Sequence, residues 1–202
     1  MPLWLAAQPL LLASKSASRR SLLEAAGVPV EVQPADIDER AIETRAAVSA
    51  PGEVAALLAR EKARAVAAAK PDRTVLGADQ TLALDGTRFS KPKDRAAAAD
   101  QLRTLRGKTH ALHSAIAVVR ADAVLFEHVA IARLTMRAFS EAFLQAYLDA
   151  VGSAVTTSVG AYQVEGAGVQ LFERIEGDHS TILGLPLVPL LDWLRRQEML
   201  AA

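Results

Sequence analysis

The chain has 202 residues, with 23 Lys and Arg balanced by 23 Asp and Glu, and 51% of its residues are hydrophobic. That length suits one domain with a substantial core, and the charge balance excludes the uniform positive field of a nucleic-acid or anionic-membrane binder. The absence of Cys removes disulfides, thiolate metal sites and a cysteine nucleophile, and is compatible with a reducing compartment.

Leu3-Trp4-Leu5 and Leu10 to Ala13 imitate a signal-peptide core, but they lack a basic start and are interrupted by Gln8-Pro9. A disordered start leading into a strand is expected. Leu10-Leu11-Leu12-Ala13 is that strand, followed by the polar loop Ser14 to Arg20 and a helix through Leu22, Leu23 and Ala26 that Gly27 and Pro29 stop. The loop and helix start offer backbone amides to an anion. Val30 to Gln33 predicts a second strand, after which Asp36-Ile37-Asp38-Glu39 is an acidic segment. A helix begins near Pro51 and keeps Val54, Leu57, Leu58, Ala65 and Val66 on one apolar face as far as Lys70-Pro71.

Thr74 to Ala78 is a buried-type strand that ends at Asp79-Gln80, and Leu82 to Leu84 before Asp85-Gly86 predicts a hairpin. Lys91-Pro92-Lys93 is a rigid basic loop, and Asp94 caps a helix through Leu102 and Leu105 to Gly107. Ala111 to Val119 and Val124 to Thr135 predict two long antiparallel strands. Ser140 opens a helix to about Ala150, and a Gly-rich region from Gly160 to Gly168 follows. Val169 to Ile175 predicts a strand, and Leu187 to Gln197 a closing helix. No linker or repeat divides the chain, so one α/β unit is expected over residues 1–202. The most apolar stretch, Ile182 to Leu191, is too short for a membrane span and carries Pro186 and Pro189.

No GxxxxGK[ST] loop, GxGxxG fingerprint, HExxH helix or GxSxG elbow is present. His110 and His113 fit structural or exposed histidines better than a metal pair. Polar residues instead concentrate where strands are expected to end: Ser14, Ser16, Arg19 and Arg20 after the first, Glu39 after the second, Asp79 and Gln80 after the third. Lys62 lies near the end of a helix, and Lys91 and Lys93 in the Pro-fixed loop. The carboxyl ends of strands border the ligand crevice in open α/β sheets. Charges of both signs there suit a metal-bound polyphosphate, because carboxylates hold a hard cation while Arg and Lys neutralise phosphate oxygens. Taken alone, Asp36, Asp38 and Glu39 fit a solvated acidic turn better than a metal site, and Lys62 within Arg60 to Arg64 fits an ordinary charged helix face. Asp79 ranks first, because an unpaired carboxylate directly after an apolar strand would be costly.

Leu12-Ala13-Ser14-Lys15-Ser16-Ala17-Ser18-Arg19-Arg20-Ser21-Leu22-Leu23, Asp36-Ile37-Asp38-Glu39, Arg60-Glu61-Lys62-Ala63, Leu76-Gly77-Ala78-Asp79-Gln80, Lys91-Pro92, Gly107-Lys108-Thr109-His110 and Gly184-Leu185-Pro186-Leu187 stand in order along the chain. As a set, spanning about Leu10 to Leu194, they resemble the Maf family of nucleotide pyrophosphatases. The resemblance implies an ITPase-like α/β fold in a single domain, with a mixed sheet, flanking helices and a deep cleft between two lobes. It also implies a divalent cation, Mg²⁺ or Mn²⁺, and hydrolysis of a nucleoside triphosphate to the monophosphate and pyrophosphate, clearing non-canonical nucleotides. The family is cytoplasmic and often homodimeric. Carried over by position, Asp79 looks like the proton-accepting or metal-organising carboxylate and Glu39 like its acidic partner, both as metal ligands. Arg20, Lys62 and Lys91 look like the catalytic cations, with Ser14, Ser16 and Arg19 supporting substrate binding.

Three departures are similar to the subgroup associated with 7-methyl-GTP: Gln80 where the commonest pattern has Thr, Glu165 where many members have Gln, and two residues, Ala17 and Ser18, before the Arg pair. Gln80 and Glu165 then either contact a purine base or only brace the cleft. The family's older name, septum-formation inhibitor, supplies the alternative of a nucleotide-binding division regulator without turnover. The presence of both Glu39 and Asp79 argues against it, since a passive binder has no need of a second metal-organising carboxylate.

Overall fold

The computed structural model describes residues 2–202. Its seven strands are β1 (Leu10–Leu12), β2 (Val30–Val32), β3 (Val75–Leu84), β4 (Thr87–Phe89), β5 (Thr109–Arg120), β6 (Ala123–Met136) and β7 (Phe172–Glu176). The seven α-helices are α1 (Ala17–Ala25), α2 (Glu39–Ala46), α3 (Pro51–Ala69), α4 (Arg95–Leu105), α5 (Glu141–Val151), α6 (His179–Ile182) and α7 (Leu187–Arg196). The strands form one mixed sheet in the order β2-β1-β3-β5-β6-β7, with β4 paired to β3. β1 lies parallel to both β2 and β3, whereas β4 on β3 and β7 on β6 are antiparallel. The chain divides into two compact units, the first comprising residues up to Gln80 with Ser114–Ala130 and Asp178–Ala202, the second Thr81–His113 with Ile131–Gly177.

In the first unit both faces of β1 and of the start of β3 are covered, which is why these segments are continuously apolar. Leu10, Leu12, Leu76, Ala78, Ile116 and Val118 pack with Leu23 of α1 and Leu190, Trp193 and Leu194 of α7. The alternate residues Leu11, Ala13, Val75 and Val119 pack on Ala63, Val66 and Ala67 of α3. One strand therefore feeds two cores by the period of two. Pro51 supplies the first helical position of α3, and Ser16 caps α1 by accepting from the Arg19 amide.

In the second unit Asp94 and Ser140 cap α4 and α5 through the Ala97 and Phe143 amides, as expected. His110, Tyr162 and Phe172 form a buried aromatic cluster, in which His110 Nε2 and the Tyr162 hydroxyl share a 2.7 Å hydrogen bond. The other ring nitrogen, Nδ1, is buried without a partner.

Four expectations need correction. The start of the chain is not disordered from Leu3 onward: Trp4 bridges Leu200, the Leu5 amide donates to Met199 O and the Ala201 amide to Leu3 O. Leu200 is buried in the core, so the C-terminus brings a backbone partner to an apolar segment that has none nearby in sequence. The acidic segment is the start of a helix, with Asp38 accepting from the Ala41 amide at the head of α2. The strand expected to stop at Ala78 runs on to Leu84, because Thr81, Leu82, Ala83 and Leu84 are all buried and Asp79 and Gln80 find partners without leaving the sheet. The strand expected from Val169 begins only at Phe172, since Ala167–Leu171 winds into a 3-10 turn around Gly168. A Cβ on Gly168 would lie 2.4 Å from Gln163 O, so the turn closes on a backbone contact that hydrophobic periodicity does not register.

Burial lowers the pKa of His110 from 6.5 to about 4. The folded protein therefore keeps the ring neutral where the unfolded chain takes up a proton. Stability is fully present above pH 6.5 and is lost as the pH falls toward 4, by about 3 kcal/mol for this residue. Urea titrations across that window should find a smaller acid-side loss in His110→Gln, which retains a polar partner for Tyr162; an unchanged pH slope would contradict this origin.

Candidate active site

The site is assembled by a close approach of α3 to β3. A Cβ on Gly77 would lie 2.0 Å from Ala59 O and 2.8 Å from Ala63 N, so only glycine lets the helix backbone seat on the strand there. The helix contributes small residues at this contact, with Ala55, Ala59, Ala63 and Ala67 all buried. Lys62 precedes Ala63, and Asp79 follows Gly77 by two residues on the same face of the strand. The contact brings the Lys62 ammonium 2.5 Å from Asp79 Oδ1. The same Nζ lies 2.8 Å from Glu39 Oε1 at the first position of α2. Asp79 is buried and Glu39 half exposed, so Lys62 links an interior carboxylate to a surface one.

Behind Asp79 lies Arg19. Its Nη1 donates to Ser14 Oγ at 3.0 Å and to Ala78 O at 2.8 Å, and its Nε donates to Gly184 O at 2.9 Å. Ser14 Oγ also accepts from the Ser16 amide. Gly184 has φ of 89°, and a Cβ there would lie 3.2 Å from Nη2, so this glycine both turns the chain and leaves room for the guanidinium. Desolvation lowers the Arg19 pKa, with Asp79 and Glu39 opposing the shift; the group is still a cation. Desolvation likewise raises the pKa of Asp79, and the attraction of Lys62 and Arg19 only partly offsets it.

Of the residues singled out in the sequence, Ser14, Ser16, Arg19, Glu39, Lys62, Asp79 and Gln80 are all tied into this network or its supports. Arg20 is not: its guanidinium pairs with Glu24 on the exposed face of α1. Adjacent helical residues point about 100° apart, so Arg19 turns inward and Arg20 outward. Lys91 is exposed between β4 and α4, and Glu165 is exposed ahead of the 3-10 turn, both in the second unit. Asp79 and Gln80 lie within β3 rather than at its end, so side-chain alternation turns them to opposite faces. Gln80 Nε2 donates to Ser114 Oγ at 2.8 Å, Thr181 O at 3.1 Å and Ile182 O at 3.0 Å, while the Ser114 hydroxyl donates to Thr181 O. Ser114 and Thr181 were missed as supports; the signal was a lone Ser in the apolar run of β5 and the Asp178-His179-Ser180 cap that begins α6.

Glu39 and Asp79 both touch one ammonium, so one cation can engage both carboxylates. Among the described residues no group of three or more His, Cys, Asp or Glu is placed to hold a metal. Two carboxylates could hold a hard divalent ion such as Mg²⁺ only together with further oxygens from water or a ligand.

Because the pKa of Asp79 is raised, the folded state binds a proton there more tightly than the unfolded chain. The ionised side chain thus weighs against folding once the pH is above its folded pKa, and that burden disappears below its ordinary value of 3.8. Asp79→Asn, in which Lys62 retains Glu39, should be at least as stable as wild type at neutral pH, with the difference narrowing in acid. A variant markedly less stable at pH 7 would show that ion pairing outweighs desolvation.

A family model described as Maf-like protein matches residues 9–197. A nucleoside triphosphate pyrophosphatase from Rhodopseudomonas palustris is 61% identical over 201 residues, which span 100% of both chains. A 7-methyl-GTP pyrophosphatase from Rhizobium etli is 54% identical over 188 residues, covering 92% of this chain and 94% of its own length. The solved structure of a HAM1 protein from Coxiella burnetii superimposes with a TM-score of 0.53 at 16% identity, over 93% of this chain and 98% of that one, a likeness of fold. The mixed sheet with its flanking helices, the motifs around Arg19, Lys62 and Asp79, and the match along nearly the whole chain agree: this protein belongs to the Maf-like family.

Proposed function

We propose that this chain hydrolyses nucleoside triphosphates to the monophosphate and pyrophosphate, with residues 1–202 acting as one catalytic domain. The observation that carries the reading is the triad Glu39–Lys62–Asp79 backed by the partly buried Arg19, in a chain whose relatives are named as pyrophosphatases. Water attacks the α-phosphorus, the bond to the bridging oxygen breaks, and pyrophosphate departs with the bonding electrons. A divalent cation held by Glu39 and Asp79 supplies Lewis acidity when bound. Asp79 accepts the proton of the attacking water. Lys62 is placed to neutralise phosphate charge beside that carboxylate. Arg19 keeps Asp79 in position and ties Ser14 and Gly184 around it.

Arg20 and Lys91 are assigned to the leaving phosphates on the resemblance alone. For base selection Glu165 is the candidate that the resemblance supplies, while the Gln80 amide nitrogen braces Ser114, Thr181 and Ile182 within the first unit. A carboxylate suits the donor edge of a guanine and the positive charge of its 7-methyl form. No helix among the described residues is long and apolar enough to cross a membrane. The cytoplasmic setting and the homodimer are family features and form part of the proposal.

The test is turnover of 7-methyl-GTP, GTP, UTP and dTTP with Mg²⁺ or Mn²⁺, following pyrophosphate against orthophosphate. Wild type should release pyrophosphate, and Asp79→Asn and Glu39→Gln should each lose at least about a hundredfold in rate while remaining folded. Nucleotide binding without pyrophosphate release would favour the regulator instead.

A further inference from the structure

The Lys62 ammonium sits between Glu39 and Asp79, the two carboxylates that would hold a divalent cation. It touches one oxygen of each carboxylate, at 2.8 Å and 2.5 Å, and its side chain is largely buried. The local charges already balance: Glu39 and Asp79 face Lys62 and, behind them, Arg19. Adding a free dication to that set leaves uncompensated positive charge beside the partly buried Arg19 guanidinium, which is unfavourable. Among the described residues only two carboxylates are gathered there, so a metal held by them takes most of its oxygens from water or from the phosphates of a ligand. A metal–triphosphate complex removes that charge excess, since it carries a net negative charge that Lys62 can follow and brings its own phosphate oxygens.

We infer that Lys62 is a resident counter-ion that closes the carboxylate pair to free divalent metal, so that the site accepts its cation only together with the nucleotide, as one complex. This rests on the pyrophosphatase reading and sharpens it: the substrate is the metal–nucleotide complex, and the ammonium passes from the carboxylates to the phosphates as that complex enters. Lys62 then acts twice, first excluding bare cation and afterwards neutralising the phosphate. The half-exposed Glu39, on a helix with no buried residues, is the partner free to release it.

The experiment is a titration of the full chain with Mn²⁺ alone, reading free hydrated Mn²⁺ by electron paramagnetic resonance, for wild type, Asp79→Asn and Lys62→Met. Wild type should hold Mn²⁺ no better than Asp79→Asn, whereas Lys62→Met should bind it at least about tenfold more tightly, the scale on which neighbours of metal ligands tune affinity. With a hydrolysis-resistant α,β-methylene triphosphate present, wild type should retain Mn²⁺ beyond what the free analogue holds. Tighter binding of Mn²⁺ alone by wild type than by Asp79→Asn overturns the inference, as does Mn²⁺ affinity in folded Lys62→Met that does not rise. The comparison of wild type with Asp79→Asn decides the matter if Lys62→Met does not fold. Pyrophosphate release is measured separately, so a metal-loaded wild type that turns over normally defeats this inference alone, while absence of release defeats the proposed function.

Discussion

The absence of a side chain at Gly77 is the constraint on which the rest of the site depends. With Ala59 O lying 2.0 Å from where a Cβ would sit, the α3 backbone rests directly on β3. The alanines of the helix extend that contact, and their small size keeps α3 close along its length. A long side chain at position 62 can then reach across the helix edge to a carboxylate on the strand. A methyl group at position 77 would push helix and strand apart in the region that must deliver Lys62 to Asp79.

The charges follow from that packing. Asp79 is carried into the interior by a strand whose other residues are almost all buried, where a lone carboxylate is unfavourable. Lys62 and Arg19 answer it from two directions, and Arg19 is itself secured by Ser14, Ala78 O and Gly184 O. Burial nonetheless leaves Asp79 with a raised pKa, so part of the folding energy is held in a charged group more useful for chemistry than for stability. Gly184 belongs to the same arrangement, since its positive φ and missing Cβ leave space for the guanidinium.

Much of this was legible in the sequence because it is local. Ser16, Asp94 and Ser140 announce helix starts by short-range capping, and Leu10 to Ala13 reads as buried because a strand covered on both faces has no polar alternation. The family motifs also singled out Lys62 and Asp79, which the fold brings within 2.5 Å of each other. What escaped is non-local. The pairing of Leu3 to Leu5 with Met199 to Ala201 joins opposite ends of the chain, and a polar Asp79-Gln80 pair reads as a strand end unless Lys62, Ser114 and Thr181 are known to meet it. Arg19 and Arg20 are the same residue type in the same motif, and only the helical turn separates an inward-facing brace from a surface ion pair with Glu24.

The most direct test of this account is Gly77→Ala, assayed for urea stability and for the rate of metal-dependent pyrophosphate release. The account predicts a loss of about 2 kcal/mol, the scale of an overpacked core, together with a fall in turnover as Lys62 is displaced from Asp79. Wild-type stability and turnover in that variant would contradict it, because the close approach of α3 to β3 would then have no part in building the site.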